Sequence, residues 1–254
     1  MRLLLLVLLL FNLPADQKMV KAPHLGFLYD GQGRFIILAD EGLDLIDSNG
    51  KVIKHHSENL LGNITSLDRT SFMRLLLFYG DVPGFQILDN TLSPHTELVD
   101  LNLLGFPFIT AMCMSSNNSY WMLDNTNYEL IRIDERGRIL SNSGNLIPLV
   151  GRSVSPFKMI ESGARVFMAE KDQGLLIFDQ FGVYMNTLDI PGLLDFCVVE
   201  DDLYFLHVNG VATKKIDEPF IKELTLDVRG FKCIDANVNS LFLGNGEVIR
   251  TYPR

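Results

Sequence analysis

Two sets of carboxylates recur along this chain at intervals that could gather them around a common centre. Asp30, Asp68, Glu161, Glu200 and Asp235 each fall where a short apolar segment ends, with Ser115 in the corresponding place of a sixth segment. A ring of such oxygens at the mouth of a channel would suit a hard cation such as calcium, which is held by carboxylate and carbonyl oxygens. The same residue types are what tight turns require, because an Asp side chain accepts hydrogen bonds from backbone N–H groups just beyond it. A second set, Asp40, Asp124 with Asn125, and Glu170, closes a second series of apolar segments. These are the other candidates for ligands or general bases. The histidines, His24, His55, His56, His95 and His207, show no helical zinc spacing, and His55 and His56 would point to opposite faces of a strand. The chain carries no Gly-x-Ser-x-Gly elbow, His-Glu-x-x-His helix, phosphate loop or complete dinucleotide fingerprint.

What positions these residues is a repeat. Gly62, Gly105, Gly151, Gly192 and Gly230 follow one another at 43, 46, 41 and 38 residues, and Asp47, Asp89, Asp134, Asp179 and Asp217 at 42, 45, 45 and 38. Two ladders in step at about forty residues signal repeated supersecondary units. Within each unit a short apolar segment, a polar turn, a strongly apolar segment and an alternating segment ending in Asp lead to a fourth segment. In the first copy these are His24 to Tyr29, Arg34 to Ala39, Leu43 to Asp47 and Lys51 to His55, with Ser48-Asn49-Gly50 as a hairpin turn. The last copy, from Phe231 to Tyr252, lacks a fourth strand, and Gln17 to Lys21 supplies one in excess. An open stack would leave sheet edges exposed and a solenoid would need polar caps, whereas a ring closed by both termini needs neither. The expectation is an all-β, six-bladed β-propeller of four-stranded antiparallel blades, with an N-terminal strand completing the last blade. Asn145 to Pro156 is expected to be a long connection.

Met1-Arg2, the apolar run Leu3 to Phe11 and the break Asn12-Leu13-Pro14-Ala15 have the make-up of a secretory signal peptide. The expected domains are therefore a leader, 1–15, and one propeller, 16–254, secreted or held in the periplasm or cell envelope, with no transmembrane segment after cleavage. A retained hydrophobic anchor is the alternative. Without Arg2, 21 basic residues stand against 31 acidic ones, a net charge of −10, which leaves no basic stripe for nucleic acid. The odd cysteine count, Cys113, Cys197 and Cys233, cannot complete an intramolecular disulfide framework, and their shared repeat position reads as core packing.

The run Leu28-Tyr29-Asp30-Gly31-Gln32-Gly33-Arg34-Phe35-Ile36-Ile37-Leu38-Ala39-Asp40, continued by Leu43 to Lys51, resembles the NHL-type propeller repeat, and Tyr120 to Leu140 is a second good match. Val208-Asn209-Gly210 departs from the pattern where an Asp is expected. The resemblance covers nearly all of Gln17 to Arg254 and implies the fold more strongly than any activity, since six-bladed propellers include adaptors, sensors and enzymes. It allows a calcium-dependent lactonase or hydrolase with Asp40, Asp124, Glu170 and Asn125 at the channel. The favoured expectation is a binding or scaffolding module without catalysis or cofactor, docking a protein, peptide or glycan. Phe106, Phe108 and Arg152, in the connections between units, are its expected anchors, with Asp40, Asp124, Asn125 and Glu170 on the same face.

Overall fold

The computed structural model describes residues 18–58, 62–71 and 73–254. The segment read as a leader lies outside them. Strand β1 (Met19–Lys21) is followed by the first blade, β2 (Gly26–Tyr29), β3 (Phe35–Ala39), β4 (Gly42–Ile46) and β5 (Val52–His56). The second blade is β6 (Ile64–Ser71), β7 (Arg74–Tyr79), β8 (Gly84–Leu88) and β9 (Val99–Asp100). The third is β10 (Ile109–Ser115), β11 (Ser119–Asp124), β12 (Glu129–Ile133) and β13 (Ile139–Asn145), followed by the short helix α1 (Leu146–Val150). The fourth is β14 (Lys158–Ser162), β15 (Arg165–Glu170), β16 (Gly174–Asp179) and β17 (Tyr184–Leu188). The fifth is β18 (Leu193–Val199), β19 (Asp202–His207), β20 (Gly210–Lys215) and β21 (Ile221–Leu224). The sixth has β22 (Cys233–Ala236), β23 (Ser240–Gly244) and β24 (Val248–Pro253), and β1 completes it. The expected six-bladed ring is therefore the observed fold, and its closure runs through Met19 opposite Arg250, Val20 opposite Ile249 and Lys21 opposite Val248.

The second strand of each blade reads as a continuous apolar run because both of its faces are covered by neighbouring blades. Leu75 to Tyr79, Tyr120 to Leu123 and Val166 to Ala169 are buried throughout, whereas the outer strand Val52 to His56 is mostly exposed. Each of the six buried apolar clusters fills one seam between blades. Trp121, Phe178 and Met168 pack between the third and fourth blades, and Phe35 and Phe242 meet edge to face at 5.4 Å where the ring closes.

The aspartate ladder makes the turn between third and fourth strands. Asp47 Oδ1 accepts from the N–H groups of Asn49 and Lys51 at 2.8 and 3.0 Å, and Asp134 Oδ1 from Arg136 and Arg138 at 2.9 Å each. Asp89 and Asp179 repeat the arrangement. The residue three places on is left-handed: Gly50, Gly137 and Gly182 in three copies, and Leu92 (φ 57°), its side chain wholly buried, in the second. At Gly182 a Cβ would also stand 3.2 Å from the Trp121 ring of the preceding blade. Asp217 leaves the pattern and pairs with Arg165 of the fourth blade at 2.5 Å. The five ladder glycines lie in the connections between blades with φ between 70° and 88°.

Two details differ from expectation. The long connection after Asn145 contains α1, capped by the Asn145 side chain accepting from Ile147 N–H at 2.9 Å. The three cysteines are free, and two share a ladder position, Cys113 opposite Trp121 and Cys197 opposite Tyr204, each facing the third residue of the second strand, while the less buried Cys233 opens β22 opposite Gly244. Counting residues back from the next strand missed the different turn lengths between them.

The backbone N–H of Lys51 on Asp47, and that of Arg138 on Asp134, hold these carboxyls below the ordinary Asp value of 3.8. A depressed folded-state pKa gives stability that is present above the unfolded value and lost as pH falls through the folded one. The variant Asp47→Asn/Asp134→Asn keeps the turn acceptors and should lose less stability than wild type between pH 4 and 2 in urea unfolding; parallel acid limbs would contradict the assignment.

Candidate functional site

The first strand of each blade is a sheet edge that faces the axis of the ring. Its outward N–H groups have no strand to bond, and a buried N–H without an acceptor is costly. The structure supplies acceptors from the neighbouring blades. Asp68 Oδ2 accepts from Met114 N–H at 2.6 Å, Asp195 Oδ2 from Ile234 N–H at 2.9 Å, and Asp235 Oδ2 from Tyr29 N–H at 2.6 Å. These bonds tie the second blade to the third, the fifth to the sixth and the sixth to the first. Glu161 ties the fourth blade back to the third, accepting from Ser115 Oγ and Trp121 Nε1 at 2.5 Å each and from Ser116 N–H at 3.3 Å. The fourth and fifth blades are joined by Lys158, whose Nζ donates to Asp195 Oδ1 and to Phe196 O at 2.7 Å each. Burial works against the Lys158 charge, but the Asp195 carboxylate outweighs it and leaves the pKa raised.

Of the first expected ring, Asp68, Glu161 and Asp235 do line the channel. Asp30 does not; it is a turn residue accepting from Gln32 and Arg34 N–H at 2.8 and 2.9 Å and paired with Arg34 Nε at 2.5 Å. Glu200 is exposed in a left-handed turn position, and Ser115 serves as a donor to Glu161. Sequence reasoning missed Asp195, Lys158 and Arg69.

The second set lies at the opposite end, on the face that carries the connections between blades. Asp124 is buried and accepts from Thr126 N–H at 2.8 Å and Asn127 Nδ2 at 2.9 Å. Glu170 is buried and holds Arg152 Nη2 at 2.5 Å and Ser155 N–H at 2.6 Å, so two of the expected binding residues bind each other. Asn125 donates its backbone N–H to Phe108 O at 2.9 Å, and its buried Oδ1 has no partner. Asp40 borders a separate surface pocket with Glu41 and Glu58. Among the described residues no three His, Cys, Asp or Glu side chains are grouped to hold a metal. Phe106 packs into the seam between the second and third blades, while Phe108 is 63% exposed.

The channel itself consists of two successive cavities that share Leu28, Leu67 and Lys158, with volumes of about 230 and 340 Å³. The smaller opens among the connections, past Leu25, Phe157 and Leu194. The larger lies beyond it, beside Arg69, Ile160, Val198 and Asp235, and reaches the turn Ser162-Gly163 at the opposite end. Cys197 borders the larger cavity and Cys233 the smaller one; burial pushes the Cys197 thiol well above its ordinary value and that of Cys233 up to about 12, so neither is a ready nucleophile.

No protein-family model matches the chain, and no curated protein is similar to it in sequence. The fold is similar to the WD40 domain of Pan2 from Neurospora crassa (TM-score 0.62, 9% identity, 90% of this chain and 88% of that one). It is also similar to the computationally designed Ika8 protein (0.51, 11%, 90% and 71%) and to BamB from Moraxella catarrhalis (0.50, 12%, 87% and 70%). At such identities the likeness establishes the β-propeller and nothing about chemistry, which must come from this chain's own side chains. The ties across the channel can be tested there. Glu161→Ala should strand the buried Trp121 and Ser115 donors at a cost of about 1–3 kcal/mol, measured by urea unfolding followed on the fluorescence of Trp121, the chain's single tryptophan. An unchanged midpoint would remove Glu161 from the account.

Proposed function

We propose that this chain is an exported, non-catalytic binding module of the NHL-like type that docks a protein, peptide or glycan on the face carrying the connections between blades. The observation that carries the reading is the exposed apolar surface there: Leu25, Phe108, Tyr128, Leu149, Phe157 and Val208 are between 38% and 64% exposed and come from three connections between blades and two turns within blades on that face. The opposite face, with the turns between first and second and between third and fourth strands, exposes Met73, Phe181, Val183, Phe220 and Val238. Exposed aromatic and aliphatic side chains on rigid loops are what interface anchors are made of. The engagement of Asp124 and Glu170 by protein donors favours this reading over a metal-dependent hydrolase, because those oxygens are already committed. The NHL-like assignment is supported by the Asp-turn-glycine geometry of the first, third and fourth copies.

Export predicts a mature chain beginning at Asp16, which the intact mass of protein expressed with its own N-terminus will report; a chain starting at Met1 would contradict it. Docking predicts that Phe108→Asp/Phe157→Asp abolishes retention of the partner captured from the source organism's extract, with the melting temperature little changed. Phe181→Asp on the other face should retain the partner. Equal capture by both variants would overturn the choice of face.

A further inference from the structure

Arg69 is a cation of the channel that takes no part in the seams. Arg69 stands in β6 where the pairing register with β7 slips between Asp68 and Ser71. Such a bulge re-aims side chains, and here it sends Asp68 to the Met114 N–H of the next blade while Arg69 borders the larger cavity. The Arg69 Nε is buried and has no hydrogen-bond partner. Among the described residues no ion pair within 4 Å includes Arg69, whereas Lys158, the other cation there, is bound to Asp195. Asp235 is the carboxylate that feels the Arg69 charge, yet it spends its oxygens on the N–H groups of Tyr29 and Ala236. Burial raises the Asp235 pKa in spite of the opposing pull of Arg69.

Around this guanidinium the wall mixes aliphatic side chains with Lys158 and the carboxylates Asp68, Glu161 and Asp235, each of which already accepts from a protein donor. Leu28, Leu67, Ile160 and Val198 come from four different blades, and the cavity of about 340 Å³ continues upward into the apolar mouth at Leu25 and Phe157. A planar guanidinium whose Nε is buried without a partner is a fork for a carboxylate, and its hydrogen bonds to a charged acceptor are about twice as strong as neutral ones. We propose that the channel binds a carboxylate borne on a short aliphatic chain, with the charge on Arg69 and the hydrocarbon against Leu28, Leu67, Ile160 and Val198, entering from the connection face. The carboxylate could belong to a free aliphatic acid or to the C-terminus of a peptide ending in an aliphatic residue. The site rests on Arg69 and the channel wall and does not require the docking surface described above.

Isothermal titration of the full mature chain separates these sources. The probes are 4-methylpentanoate and its amide, and Gly-Gly-Leu with a free or an amidated C-terminus. The expected result is that at least one acid binds, that its own amide binds at least tenfold more weakly, and that Arg69→Met, checked for an unchanged melting temperature, loses the difference. Binding of the free acid alone assigns a small-molecule ligand; tighter binding of the peptide assigns a chain terminus. No heat from either acid at millimolar concentration, equal binding of acid and amide, or a folded Arg69→Met that binds as wild type would each overturn the proposal. If Arg69→Met fails to fold, the acid–amide comparison on wild-type protein decides it alone.

Discussion

The constraint on which the rest of this molecule depends is the row of unpaired backbone N–H groups on the innermost strand of every blade. A ring of sheets removes most exposed edges but creates six that face the axis. Those edges lie in a narrow channel beside aliphatic side chains, where an unmet donor costs more than a hydrogen bond ordinarily returns. The chain answers with carboxylates reaching across the seams, from Asp68 to Met114, Asp195 to Ile234 and Asp235 to Tyr29. One set of groups thus satisfies the edges and registers neighbouring blades against each other, while the apolar clusters in the seams provide the bulk of the attraction.

That division of labour explains why a channel rich in acidic residues need not be a cation site. Asp68, Asp195, Asp235 and Glu161 are acceptors for protein donors before any ligand arrives. What the wall offers besides these is aliphatic surface with Arg69 and Lys232. At the connection face the same logic holds, since Glu170 is engaged by Arg152 and Ser155, leaving apolar side chains such as Phe108 to meet a partner.

The fold was legible because each copy carries the same local chemistry. The turn after Asp47 needs an acceptor and then a left-handed residue, and Asp134 and Asp179 with their glycines state that need again. The four strands of the first copy lie within a residue or two of the limits the sequence set for them, and β1 fills the vacancy that the truncated last copy announced. The site was legible only in part. Recurrence correctly pointed to Asp68, Glu161 and Asp235 but grouped them with Asp30 and Glu200, which turn geometry holds away from the axis. Arg69, Lys158 and Asp195 were invisible because a bulge or a cross-blade pair is a property of one place in the ring, and a repeat records only what all copies share. Arg152 and Glu170 were both singled out, yet their pairing depends on how the connection after α1 folds back, which spacing does not encode.

The most direct measurement of the central claim is amide hydrogen exchange at Tyr29, Met114 and Ile234, followed by NMR in wild type and in Asp235→Ala. If neighbouring-blade carboxylates hold these edge N–H groups, all three exchange slowly in wild type. Asp235→Ala should then release Tyr29 by a large factor while Met114 and Ile234 stay protected. Exchange of the three amides in wild type as fast as that of exposed turn residues, or a Tyr29 unaffected by loss of Asp235, would contradict it.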